Sequence, residues 1–240
     1  MRPILCAALI AALAPAAAWA QIYPPPARPV TGRILFHDDF TDSSLARWRP
    51  DQDGVWRVVH GMLRGSLPDK RQKHSLIEAG DDAWTDIALD VDLLQTRGVD
   101  KGVVLRAGKK KGVGVDLRGT GYDDVRVMHR EWPVAHAPVN VPNGKWHHLR
   151  VEARGQEFRV LVDDRLVVDA TDRHKGAERG HIALAAYTGG IGECEVWYAH
   201  VRVTALPAPT ASAGSPRPRP NRAPPRRGHS AADAGAAAMR

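Results

Sequence analysis

Six side chains in the middle of the chain have the chemistry to hold a ligand rich in hydroxyls: Arg106, Asp116, Arg118, Arg126, Arg130 and Trp132. Guanidinium and carboxylate groups meet paired hydroxyls in a fixed fork, and an indole stacks on the C–H face of a pyranose ring. Their spacing places them together. Val103 and Leu105 alternate with Val104 and Arg106, and Val113, Val115 and Leu117 alternate with Asp116 and Arg118. Val125 and Val127 alternate with Asp124, Arg126, Met128 and Arg130, and Trp132 follows directly. Side chains leave a strand on opposite faces in turn. If the three runs form a meander, the valines therefore face a core and the charged set faces outward. The competing reading is a solvated strand face with cross-strand charge pairs.

Acid–base groups near this set are few. Asp116 and His129 are the titratable candidates, and alternation puts His129 on the side of Val125 and Val127, facing the core or its rim. Asp90 and Asp92 read as a solvated strand face. Asp38 and Asp39 are the one pair that could offer oxygens to calcium, and no other cofactor is expected. His147 and His148 send their rings to opposite faces and cannot hold one ion. Of the two cysteines, Cys6 lies in the first twenty residues, expected to be removed, and Cys194 is then a lone thiol with no adjacent base to activate it. No zinc-protease, redox dithiol, nucleophile-elbow or phosphate-loop motif occurs.

The elements that must position these groups read as strands. Arg33–Phe40 is the first, and Trp56–Leu63 is a hairpin turning at His60–Gly61. A long strand follows Trp84, with Ile87, Leu89, Val91 and Leu93 alternating against polar neighbours. The three central strands are 102–106, 112–118 and 123–130. Gly144–Asp172 then holds two alternating runs joined at Arg154–Gly155–Gln156, an Asp163–Asp164 corner and a further short strand. Residues 181–187 and 195–204 complete the set. No stretch keeps a 3.6-residue period, so the fold class is all-β, a two-sheet antiparallel sandwich.

Composition divides the chain. Residues 1–20 have the positive start, apolar run and Ala18-Trp19-Ala20 site of a secretory signal peptide cleaved after Ala20, which implies a periplasmic or extracellular protein. Residues 21–32 form a Pro-rich leader, 33–206 the folded domain, and 207–240 a basic tail of Pro, Ala and Arg that cannot bury enough surface to order itself. The net charge of +7 is concentrated in that tail, where six arginines stand against Asp233. The body is near neutral, which argues against nucleic acid as a partner. No later stretch is long and apolar enough to span a membrane.

The motif order Trp146, strand, Gly155, strand, Asp163–Asp164, strand, together with Trp56 to Leu63, resembles the concanavalin A-like lectin/glucanase superfamily. The similarity runs over roughly residues 34–203 and is greatest to the domains called 3-keto-disaccharide hydrolases, more loosely to laminin-G-like modules. It implies a jelly roll with one concave sheet, and it implies Arg106, which ends the run Gly102–Arg106, as a site residue. Asp90-x-Asp92-x-x-Gln95 is similar to the E-x-D-x-x-E of family-16 glucanases but lacks the last carboxylate and lies on an early strand. The last strand has Tyr198-Ala199-His200, where relatives often carry a calcium ligand.

These readings give an expected function: an exported, monomeric carbohydrate-binding jelly roll using its polar sheet face. The alternatives are a hydrolase or lyase of 3-keto-glycosides, and an envelope module in which the basic tail meets an anionic surface.

Overall fold

The computed structural model describes residues 23–207, apart from 70, 72, 73, 110, 120, 130, 131, 174, 175 and 189–191, and apart from the side chains of 111 and 132. The expected signal peptide, Arg130, the Trp132 side chain and the basic tail lie outside the described residues. Among the described residues fifteen strands follow in chain order: β1 (Ile34–Asp38), β2 (Arg49–Pro50), β3 (Trp56–Val59), β4 (Met62–Leu67), β5 (His74–Ala79), β6 (Ile87–Arg97), β7 (Asp100–Gly108) and β8 (Lys111–Arg118). Then come β9 (Asp124–His129), β10 (Trp132–Pro138), β11 (Trp146–Arg154), β12 (Glu157–Val162), β13 (Arg165–Thr171), β14 (His181–Tyr187) and β15 (Cys194–Ala205).

All strand pairs are antiparallel and fall into two sheets. The first runs β13-β12-β11-β6-β15-β4-β3, with β1 also pairing β15. The second runs β10-β9-β8-β7-β14-β5-β2. The architecture is the expected jelly-roll sandwich. The alternating valines and leucines explain it: Leu89, Val91, Leu149 and Val151 of the first sheet and Val103, Val115, Val127 and Leu184 of the second are all fully buried. Each such side chain contributes roughly 1.5–3 kcal/mol by leaving water.

Two aromatic side chains tie the sheets across the core. Trp56 lies on the space left by Gly65, where an added Cβ would stand 2.6 Å from the indole, and its Nε1 donates to Ser75 Oγ of β5 at 2.9 Å. Tyr198 of β15 places its hydroxyl 2.8 Å from Gly102 O and 2.6 Å from Ala185 O. That contact pins β7, the strand beside the polar face.

Strands β5 and β10 were not expected. β10 carries Pro133 and Pro138, which argue against a strand, yet it lies at the edge of its sheet, where a missing N–H is tolerated. The leader is held where Arg28 pairs with Asp164 at the β12–β13 corner, and the domain's first residue is held where Ala205 N donates to Arg33 O at 2.9 Å.

Candidate functional site

The meander β7-β8-β9 aligns its outward residues in rows. Asp116 stands opposite Gly102 on β7 and Arg126 on β9, and Arg118 stands opposite Asp100 and Asp124. Beyond β7, Tyr187 of β14 is in register with Asp100. Three of the six expected residues, Asp116, Arg118 and Arg126, are therefore on one outward face.

Arg106 is a correction. A bulge between Leu105 and Gly108 breaks the alternation, and Arg106 takes a left-handed φ of 53°. Its side chain is fully buried. Nε donates to Thr85 O at 3.0 Å, and Nη1 donates to Gly155 O at 2.5 Å and Ala177 O at 3.2 Å. Asp86 stands 3.6 Å from Nη2, and the guanidinium lies over the Phe158 ring. It is a tie between loops, away from the face. For Trp132 only the backbone is placed, opposite His129. His129 is at the rim, 3.9 Å from Asp172.

The face is dense with charge. Arg118 donates to Asp124 from Nε at 2.6 Å and from Nη2 at 2.8 Å, and Arg126 Nε donates to the same carboxylate at 3.0 Å. Those donors, Arg118 foremost, hold the Asp124 carboxyl below its usual range against the opposing effect of burial. Asp100 Oδ1 is 4.0 Å from Arg118 Nε. Burial pushes Asp100 up to about 6 despite the two guanidiniums. Asp116 is pushed up to about 7, first by burial and then by the like charge of Asp100. The Asp116 side chain lies over the strand at Gly102, where an added Cβ would stand 2.9 Å from its Oδ1. At Gly114, the next outward position on β8, no atom comes within 3.9 Å of where a Cβ would be, so the floor of the face is bare.

Reading the sequence alone missed Asp100, Tyr122 and Tyr187. Tyr122 is half-exposed and lies over the Arg118 guanidinium at 4.4 Å, and Tyr187 is also exposed beside Asp100. Asp124 was visible in the alternation but was not singled out. Together these groups offer paired hydrogen-bond donors and acceptors flanked by aromatic rings, with a carboxyl poised near neutral pH.

A second polar cluster lies on the outer face of the other sheet and corrects the reading of Asp90 and Asp92 as solvated. Both are buried. His148 Nδ1 is 2.9 Å from Asp92 and its Nε2 is 3.4 Å from Asp90. Arg150 Nη1 is 2.5 Å from Asp90, and His200 Nδ1 is 2.8 Å from Asp92. Burial alone would lower His148, but the two aspartates outweigh it and carry the imidazole up to about 9. His147 turns the other way, to Asp163 and Pro142 O. The Asp38 and Asp39 carboxylates meet protein donors. Asp38 accepts from Phe40 N and Trp48 Nε1, and Asp39 faces the Arg202 guanidinium. Cys194 is buried and its thiol is pushed up to about 11, chiefly by burial.

The family model described as the 3-keto-alpha-glucoside-1,2-lyase-like domain matches residues 35–204. Among solved structures, carbohydrate binding module CBM66 from Bacillus subtilis is 21% identical, with a TM-score of 0.57 over 66% of this chain and 96% of that one. The Crh5 transglycosylase in its apo form is 15% identical, with a TM-score of 0.58 over 75% of this chain and 89% of that one. LamAcat from Zobellia galactanivorans is 12% identical, with a TM-score of 0.53 over 72% and 97%. At these identities the likeness is one of fold. No curated protein matches the chain.

Proposed function

Because this chain belongs to the 3-keto-alpha-glucoside-1,2-lyase-like domain family, we propose that it binds a saccharide on the outer face of β7-β8-β9. The observation that carries this is the grouping of Asp116, Arg118, Arg126, Asp100 and Asp124 on one face with Tyr122 and Tyr187 beside them. The guanidiniums offer donors and the carboxyls offer acceptors for ring hydroxyls. A tyrosine ring covers the apolar face of a pyranose. The carbohydrate-binding and transglycosylase folds of similar structures support the same ligand class.

Asp116 favours a second reading, in which the bound glycoside is also cleaved. In a 3-keto-glycoside the carbonyl acidifies the hydrogen on C2. A base that takes this proton drives electrons into a C1–C2 double bond and expels the oxygen on C1. A carboxyl pushed up to about 7 is matched to that work at neutral pH, since a general base serves best near the operating pH. Arg118 and Arg126 act on Asp116 as nearby positive charges, and the same charges would steady a developing enolate beside it.

We also propose that the protein works in the periplasm or outside the cell after cleavage at Ala20, as a monomer, with the basic tail free to meet an anionic envelope surface. A glycan array together with a 3-keto-glucoside incubation tests the two readings. Binding lost in Asp116→Ala and Arg118→Ala supports the site. Release of the aglycone by the native protein and not by Asp116→Asn supports catalysis. Equal retention of all proteins removes the face from consideration.

A further inference from the structure

Among the described residues, the face contains more acid than base. Asp100, Asp116 and Asp124 face the two guanidiniums of Arg118 and Arg126, and Asp124 engages both of them. Three ionised carboxylates would leave the cluster with an uncompensated negative charge, and Asp100 is only 6% exposed. An unpaired charge in such a place is costly, and retaining a proton is the ordinary remedy.

The geometry identifies the carboxyls concerned. Asp100 and Asp116 are diagonal neighbours on adjacent strands, with Asp100 opposite Arg118 and Asp116 opposite Gly102. Diagonal pairs of this kind are close enough to interact. Gly102, two residues from Asp100 on β7, has no side chain, which lets Asp116 lie over β7 at that point. Asp100 Oδ1 is buried and has no hydrogen-bond partner, although Arg118 Nε is 4.0 Å away.

Among the described residues, the other facing groups do not supply the missing charge. Lys101 turns to the opposite side of β7, where Nζ donates to Val141 O at 2.9 Å and Asn143 Oδ1 at 3.3 Å, and it is the weakest of the charges acting on Asp100. Tyr187 faces Asp100 from β14, Tyr122 covers Arg118, and His136 of β10 stands exposed opposite Arg126. Cys194 lies on the core side with its thiol protonated.

We infer that Asp100 is a positioning residue for Asp116, and that the two carboxyls hold one proton between them up to about neutral pH. The negative charge on one keeps the proton on the other. Asp116 thus stays able to take or give a proton at the pH where the proposed saccharide chemistry would run. The inference draws its functional meaning from the proposed site, but its test needs no saccharide.

The experiment is a pH titration of the aspartate side-chain carboxyl carbons by NMR on the full-length protein without ligand. The native protein is expected to show two coupled steps for Asp100 and Asp116, the later one near neutral pH. In Asp100→Asn the Asp116 step is expected at a pH lower by about one, a roughly tenfold weaker hold on the proton. The converse variant, Asp116→Asn, is expected to lower the Asp100 step in the same way, and it carries the test if Asp100→Asn fails to fold. If the remaining carboxyl titrates where it did in the native protein, burial alone sets it and the inference is overturned. No saccharide retained by the native protein on the array, or equal retention by native and variant proteins, would sink the site and leave this titration unaffected.

Discussion

Arg118 grips Asp124 with both arms of its guanidinium, at 2.6 and 2.8 Å. Arg126 closes on the same carboxylate from two residues along β9. This bidentate pair fixes the direction of the Arg118 side chain on a strand face that would otherwise leave it mobile. Replacing Arg118 with Ala should lower saccharide affinity about tenfold or more, the scale of a lost charged hydrogen bond. Arg118→Lys should recover little, because an ammonium cannot reproduce the fork. Calorimetric titration checks both, and native affinity in Arg118→Ala would remove this residue from the site.

Arg106 should behave in the opposite way. Arg106→Met strands the carbonyls of Thr85, Gly155 and Ala177 and takes the cation away from Asp86, which keeps the Gly155 N–H. A stability loss of about 2–3 kcal/mol or more in urea denaturation is expected, the scale of buried carbonyls losing a charged hydrogen-bond donor. Saccharide affinity in the folded protein should be unchanged. Lost affinity with unchanged stability would restore Arg106 as a site residue.

The contrast between these two arginines shows how far the sequence could be read. Alternation along β8 and β9 placed Asp116, Arg118 and Arg126 on one face, because period two is a local property. It failed at Arg106, because one extra residue in the bulge before Gly108 reverses every later side chain. Tyr187 could not be joined to Asp100 without the β7–β14 register, which links segments far apart in the chain. Asp90 and Asp92 read as solvated for the same reason: the groups that enclose them, His148, Arg150 and His200, arrive from β11 and β15.

Tyr122 and Tyr187 are 49% and 39% exposed, so neither is needed for the core. Changing either to Ala should leave the melting temperature nearly unchanged. Each should weaken saccharide binding by roughly five- to tenfold, the loss of one ring contact. A large drop in melting temperature, or no change in binding, would assign the rings to structure or to bare surface.

His148 gives the fold a dependence on pH. Its folded-state value, about 9, lies above the ordinary 6.5. A group raised in this way contributes stability that is fully present below pH 6.5 and is lost as the pH rises through 9. Melting temperature should therefore fall between those values in the native protein, and the fall should be smaller in His148→Gln. The comparison is by difference, because Lys101, lowered to about 8 by burial, acts in the opposite sense above that pH. Parallel curves for the two proteins would show that His148 is not bound to its aspartates as a cation.

The central claim is that the outer face of β7-β8-β9 holds the saccharide, and amide chemical-shift mapping tests it most directly. Titrating the labelled full-length protein with a glucoside and with its 3-keto form should move resonances of Asp100, Asp116, Arg118, Tyr122, Arg126 and Tyr187 together and saturably. Shifts gathered instead around Trp146, His148 and Trp197 on the opposite sheet would contradict the account, as would no saturable shift with either sugar.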